Sequence, residues 1–159
     1  MLIFRTIDVD RDGATCIAFS RDAFVCSFGS DERFLAEAGP GFRAHLDALR
    51  RDVQREPGGF VHVWSDGEIV GEILIRLPPE EDQGYVSLLY LKAEHRGTGT
   101  ADELHTYVES YFRDRGRRRL RLSVSPTNVR AIRFYTRHGW KDCGPRPGNE
   151  HVNSMELEL

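Results

Sequence analysis

The alternation of apolar and polar residues divides the chain into a regular succession of elements. Leu2 to Asp8 reads as a strand, ended by the polar run Asp8 to Gly13. Ala14 to Ala38 carries a broken helical pattern: Ile17, Phe24, Val25 and Phe28, then Phe34, Leu35 and Ala38. Gly39-Pro40-Gly41 interrupts it. Phe42, Leu46, Leu49 and Val53 then recur at helical spacing up to Pro57-Gly58-Gly59. Phe60 to Trp64 predicts a strand, Asp66-Gly67 a hairpin turn, and Ile69 to Leu77 the returning strand. An acidic loop follows over residues 78–84.

Tyr85 to Lys92 is nearly all apolar, the pattern of a central strand covered on both faces. Leu104, Tyr107, Val108, Tyr111 and Phe112 mark one face of a helix that stops at Gly116. Leu120, Leu122 and Val124 alternate with Arg119, Arg121 and Ser123, as in a strand with one apolar face. Pro126-Thr127-Asn128 opens a short helix running to His138. Trp140 to Cys143 and His151 to Leu159 complete the pattern as two closing strands. The order predicts one mixed α/β sheet with helices on its faces, formed by residues 1–159 as a single domain.

Composition narrows the class without naming a chemistry. With 159 residues, 40% hydrophobic and 30% charged, the chain suits one globular domain. Twenty-two basic and 25 acidic residues leave a net charge of −3, against the basic balance usual in nucleic-acid binding. Six arginines do cluster between Arg113 and Arg121, but they span a helix end and the outer face of a strand, without interleaved aromatic residues. Cys16, Cys26 and Cys143 are odd in number and lack Cys-x-x-Cys spacing, so no metal or disulfide framework is predicted. The first residues show no signal-peptide pattern and no apolar run long enough to span a membrane, which makes the cytoplasm the expected location.

The most informative segment is Leu89-Tyr-Leu-Lys-Ala-Glu-His-Arg96-Gly-Thr-Gly99-Thr-Ala101. A buried strand ends, a short loop follows, and small residues open a helix. The first N–H groups of a helix have no internal partner and carry the positive end of its dipole. Gly97 and Gly99, flanked by Arg96, Thr98, Thr100 and Ala101, let an anion approach the backbone closely, as a diphosphate cradle requires. The loop is not a Walker motif, since no Gly-Lys-[Ser/Thr] follows, and it lacks the third glycine of a dinucleotide fingerprint. Downstream, Asn128 and Tyr135 lie seven residues apart on one helix, on the same face and ~10 Å apart along its axis. An amide can hydrogen-bond a peptide-like ligand, and a phenol can give a proton to a leaving group.

Together, Arg96-x-x-Gly99-x-Ala101 and Asn128-x-x-Ala131-x-x-Phe134-Tyr135-x-x-x-Gly139-Trp140 resemble the GNAT superfamily of N-acetyltransferases. The likeness covers about Tyr85 to Trp140. It implies a mostly antiparallel, mixed sheet of six to seven strands, about four helices, and a splayed central strand pair. It implies that acetyl-CoA is the cosubstrate, with no metal. The loop from Arg96 to Ala101 would bind the pyrophosphate, the edge Leu89, Tyr90 and Leu91 the pantetheine arm, and Asn128 the same region. Tyr135 would protonate the departing thiolate. Arg130 and Arg133 would approach the 3′-phosphate.

One departure concerns the base. Many members carry a glutamate where this chain has Tyr85 or Ser123. Glu72 is then the nearest carboxylate by strand pairing, with His62 and a water relay to solvent as alternatives. Phe28, Trp64 and Tyr85 are expected to shape an acceptor pocket. The reaction implied is acetylation of a small-molecule primary amine, cationic if the Glu80-Glu81-Asp82 loop borders the cleft. Protein or peptide acetylation and a non-catalytic CoA-binding regulator are the alternatives. No nucleic-acid or membrane partner is implied, and either a monomer or a homodimer fits.

Overall fold

The computed structural model describes all residues from 1 to 159. Seven strands form one sheet: β1 (Leu2–Thr6), β2 (Phe60–Ser65), β3 (Glu68–Arg76), β4 (Gln83–Leu91), β5 (Arg119–Val124), β6 (Lys141–Arg146) and β7 (Asn149–Glu158). Their spatial order is β1-β2-β3-β4-β5-β7-β6. Every neighbouring pair is antiparallel except β4 with β5. Five α-helices accompany the sheet: α1 (Val9–Phe28), α2 (Glu32–Ala38), α3 (Arg43–Arg55), α4 (Thr100–Asp114) and α5 (Val129–Arg137). Parallel β4 and β5 need a long crossover, and α4 supplies it. The strands predicted from alternation are present, with ends moved by a few residues. No helix is long and apolar enough to cross a membrane.

The first helix begins earlier than the pattern predicts. The polar run after the first strand belongs to α1, because Asp8 caps it by accepting from the Arg11 N–H at 3.0 Å. The helix bends at Asp12, then ends at Gly29, which adopts the left-handed conformation and donates to the Val25 carbonyl. The glycine between α1 and α2 thus splits the single broken pattern into two helices.

The main core lies between the sheet and α4, where Ile73, Ile75, Val86, Leu104, Phe112, Leu120 and Met155 are sealed from solvent. Tyr135 and Trp140 extend this core toward α5. Gly84 on β4 makes the closest approach. A Cβ there would stand 2.2 Å from the Phe112 ring, so only glycine lets α4 sit this near the sheet. A second, smaller core joins Ile7, Cys16, Leu49 and Phe60 on the opposite face, under α1 and α3.

That opposite face holds an unexpected cluster. His62 and Glu72 are direct neighbours on β2 and β3, and both are 1% exposed. Cys16 of α1 covers them. The His62 Nε2 lies 2.9 Å from Glu72 Oε2 and 3.6 Å from Cys16 Sγ. His62 Nδ1 and Glu72 Oε1 have no hydrogen-bond partner. Burial pushes the Glu72 carboxyl above the usual carboxylate range, more strongly than His62 draws it down. Burial likewise pushes up the Cys16 thiol.

Two outcomes are expected from this packing. Gly84→Ala overfills the contact with Phe112 and should cost about 1–3 kcal/mol of stability, read from urea unfolding. Glu72 binds its proton more tightly folded than unfolded. Its contribution to stability is therefore complete below the unfolded value of about 4.3 and declines as pH rises toward the folded value. Glu72→Gln removes that decline. The variant's stability relative to the native protein should increase from pH 5 to pH 8, and an unchanged difference would contradict the raised carboxyl.

Candidate active site

The site starts where β4 and β5 part. They pair in parallel from Gln83–Arg119 only as far as Val86–Leu122. Just beyond, Ser87 is an extra residue in β4: Leu88 pairs with Leu74 and Val86 with Ile75, which leaves Ser87 unmatched. This bulge bends the strand and adds twist, turning the rest of β4 away from β5. The expected splayed pair is present.

The divergence exposes backbone hydrogen-bonding groups. Lys92 donates its N–H to the Val70 carbonyl at 2.9 Å. Alternation along the antiparallel pair then points the N–H groups of Leu89 and Leu91 away from β3, into the gap. The gap is a cavity of about 520 Å³ lined by β4 from Val86 to Leu91, β5 from Leu122 to Val124, the loop before α4, and α5.

The loop supplies a second set of free donors. Gly97 and Gly99 adopt φ of 73° and 87°, which suit glycine, and neither has a neighbour where a Cβ would stand. Gly99 caps α4. The backbone N–H groups of residues 97–101 donate to no protein acceptor. Thr98 stiffens the turn by donating its hydroxyl to the His95 carbonyl at 2.7 Å. A glycine turn with five free N–H groups at a helix N-terminus can hold a diphosphate. Arg130 and Arg133 of α5 line the same cavity and make no ion pair.

Arg96 has a different part from the one its position implies. Its Nε donates to the Leu91 carbonyl at 2.7 Å, and its Nη2 meets Asp22 Oδ2 of α1 at 3.0 Å. The Tyr90 hydroxyl donates to the same carboxylate oxygen at 2.5 Å. Arg96 therefore ties the end of β4 to α1 while lining the cavity. Asn128 is likewise committed: its Oδ1 accepts from the Ala131 N–H at 3.2 Å as the α5 cap, and its Nδ2 donates to Ser27 Oγ at 3.5 Å. It still forms part of the cavity wall.

Tyr135 closes the cavity between α5 and the sheet. Its hydroxyl hydrogen-bonds to no protein group, and its ring packs edge-on against Trp140 with centroids 5.6 Å apart. Burial raises its pKa, so the phenol stays protonated at neutral pH. Trp140 is held in turn by His105. The indole N–H can only donate, so the His105 Nε2 at 2.9 Å accepts, leaving Nδ1–H to face Glu109 at 2.8 Å. This neutral form agrees with a His105 pKa lowered to about 4, by burial first and by neighbouring His138 second.

A larger cavity of about 770 Å³ lies on the α3 side of the sheet. Leu122 and Ser123 line both cavities, so the two adjoin along this part of β5. Tyr85 belongs to the larger one, with its hydroxyl donating to Ser123 Oγ at 2.9 Å. Phe28 and Trp64 line neither. Phe28 lies beyond the cavities with Arg33 over its ring at 4.8 Å, and Trp64 sits near the sheet edge under Arg5 and Arg11. Glu72 and His62 also line neither, because Cys16 and Phe19 of α1 seal them off. Sequence reasoning missed Arg146, which reaches Ser123 and Tyr85 from β6. Its place in a Pro/Gly-rich segment gave no periodicity to follow.

Comparison with known proteins agrees with this architecture. An uncharacterized N-acetyltransferase of Mycobacterium tuberculosis is 37% identical over 95 residues, which are 58% of this chain and 60% of that protein. The match thus spans less than two thirds of the relative's length. The fold is similar to that of the PaiA N-acetyltransferase from Thermoplasma acidophilum in complex with coenzyme A. Its TM-score is 0.80 at 19% identity, with 100% of this chain and 99% of that chain covered. It is also similar to a ribosomal-protein-alanine N-acetyltransferase from Brucella melitensis, with a TM-score of 0.73 at 18% identity and 99% of each chain covered. Residues 24–140, well over half the chain, match the Acetyltransferase (GNAT) family, and the protein belongs to that family.

Proposed function

We propose that the protein transfers an acetyl group from acetyl-CoA to the primary amine of a small molecule by direct attack. The observation that carries this reading is the gap between β4 and β5. It holds a cavity lined by free backbone donors and by an unpartnered phenol, and a second cavity shares Leu122 and Ser123 with it. Acetyl-CoA supplies the activated acyl group. The N–H groups of residues 97–101 hold its diphosphate, with Arg130 and Arg133 for the remaining phosphate charge. Leu89 and Leu91 present N–H groups to the pantetheine arm and to the carbonyl oxygen as negative charge grows on it. Asn128 and Arg96 fix the walls.

Tyr135 gives its proton to the departing sulfur. Its raised pKa suits an acid that must keep its proton until then. No nucleophilic side chain is needed if both substrates are held together. Glu72 is too enclosed to touch an amine. The route we favour for the amine's proton is therefore water in the larger cavity, which shares Leu122 and Ser123 with the smaller one. That cavity, about 770 Å³, has the size of a small-molecule site. Of the acidic loop, Glu80 lines it, but arginines also stand in its wall, which counts against a purely cationic acceptor.

Two substitutions test the assignment. Tyr135→Phe should lower kcat by about a hundredfold, because its proton is needed only as the sulfur leaves. Acetyl-CoA affinity, measured by calorimetry, should stay within about twofold; undiminished turnover would remove Tyr135 from the reaction. Gly99→Glu places a negative charge and a strained φ in the cradle, and should abolish acetyl-CoA binding in the same assay. Retained binding would place the diphosphate elsewhere.

A further inference from the structure

We infer that the acceptor carries a carboxylate beside its amine, as an α-amino acid does, and that Arg146 binds that carboxylate. The inference rests on the acetyl-transfer reading and names the substrate class for it.

The charges around the larger cavity are mostly spent on one another. Arg76 meets Asp52 at 2.9 Å, Arg55 lies 3.8 Å from the same carboxylate, and Arg121 pairs with Glu156 at 3.0 Å. Glu56 is matched by Arg115 at 3.4 Å. Arg146 is the exception among the arginines in the wall. It pairs with no carboxylate. Its Nη1 donates to Ser123 Oγ at 3.0 Å and to the Tyr85 hydroxyl at 3.3 Å, both neutral oxygens. Its guanidinium lies 5.8 Å from the centre of the Tyr85 ring. Glu80, on the loop between β3 and β4, is the one wall carboxylate without an ion pair.

The position of this cation decides what it can recognise. Ser123 lines both cavities, and Arg146, an exposed residue in the wall of the larger one, is bonded to it, which sets the cation beside the residue that the two cavities share. A carboxylate bound there is within a few bond lengths of the amine. Guanidinium is planar and presents paired donors that match a carboxylate in two parallel bonds. Arg146 uses Nη1 alone in its bonds to Tyr85 and Ser123, so Nε and Nη2 keep donors free for a carboxylate. The phenol–hydroxyl pair thus takes the place that a glutamate base would fill, and it positions a cation instead of an anion.

The test uses matched triplets of an α-amino acid, its carboxamide and the corresponding amine without the carboxyl carbon, on small, aliphatic, aromatic and basic side chains. With acetyl-CoA and the full-length protein, at least one acid should exceed its own amide and amine by about tenfold or more in kcat/KM, the value of one charge-assisted contact. Arg146→Gln should shrink that ratio to about twofold or less while acetyl-CoA binding, followed by calorimetry, shows that the variant is folded. Arg146→Lys, which keeps the charge and loses the fork, should fall between. Amides or amines accepted as well as acids would overturn the carboxylate while leaving acetyl transfer in place. An acid preference that survives Arg146→Gln would overturn the role of Arg146. Transfer to no member of any triplet, with acetyl-CoA still bound, would end both readings.

Discussion

The parting of β4 and β5 is the constraint on which the rest of the structure depends. Two adjacent parallel strands normally satisfy each other's backbone along their whole length. Here they do so for four residue pairs and then separate at the Ser87 bulge. Beyond that point the sheet holds polar backbone inside the protein without a strand to answer it. The molecule needs water or a ligand there. Two cavities adjoin near the same separation, with Leu122 and Ser123 in the walls of both. A direct transfer needs donor and acceptor held side by side, and two adjoining cavities offer room for both.

The two faces of the sheet contribute differently. The α4 face is an apolar core in which Tyr135 is set by a chain of fixed neighbours: Trp140, then His105, then Glu109. Each polar atom in that chain has a partner, so the phenol is held by packing and its own hydroxyl is left for the cavity. On the other face, Cys16, His62 and Glu72 form a sealed polar island with two atoms unsatisfied. A direct role for Glu72 fails on access: burial raises its pKa, but the carboxyl is sealed under α1 and lines neither cavity.

The strands, the glycine turn and the helix bearing Asn128 and Tyr135 were legible because each depends on local chemistry. Alternation marks a strand face, and glycine marks positive φ. What alternation cannot tell is whether a face is covered. His62 and Glu72 share a face by their spacing, and only the packing of Cys16 and Phe19 shows that it is interior. Arg96 was legible as part of the loop, yet its direction depends on Asp22, which lies 74 residues away. Asn128 caps α5 and also stands in the cavity wall. Phe28 and Trp64 were placed by element, and their rings turn to neighbouring arginines instead of the cavities. Arg146 depends on the β6–β7 hairpin, whose irregular register no local pattern records.

The last turns of α1 have one more consequence. Asp22 binds Arg96 and Tyr90 on the β4 side, while the Ser27 carbonyl accepts from Thr127 Oγ1 at 3.0 Å on the α5 side. One helix end therefore fastens both walls of the narrower cavity, as a tie-rod fixes the span of an arch. The walls cannot drift apart independently. The conformational entropy of setting their spacing is lost once, at folding, and not again with each ligand. Changes in α1 far from any reacting atom would then act on the span itself, altering how well every ligand of the cavity fits at the same time.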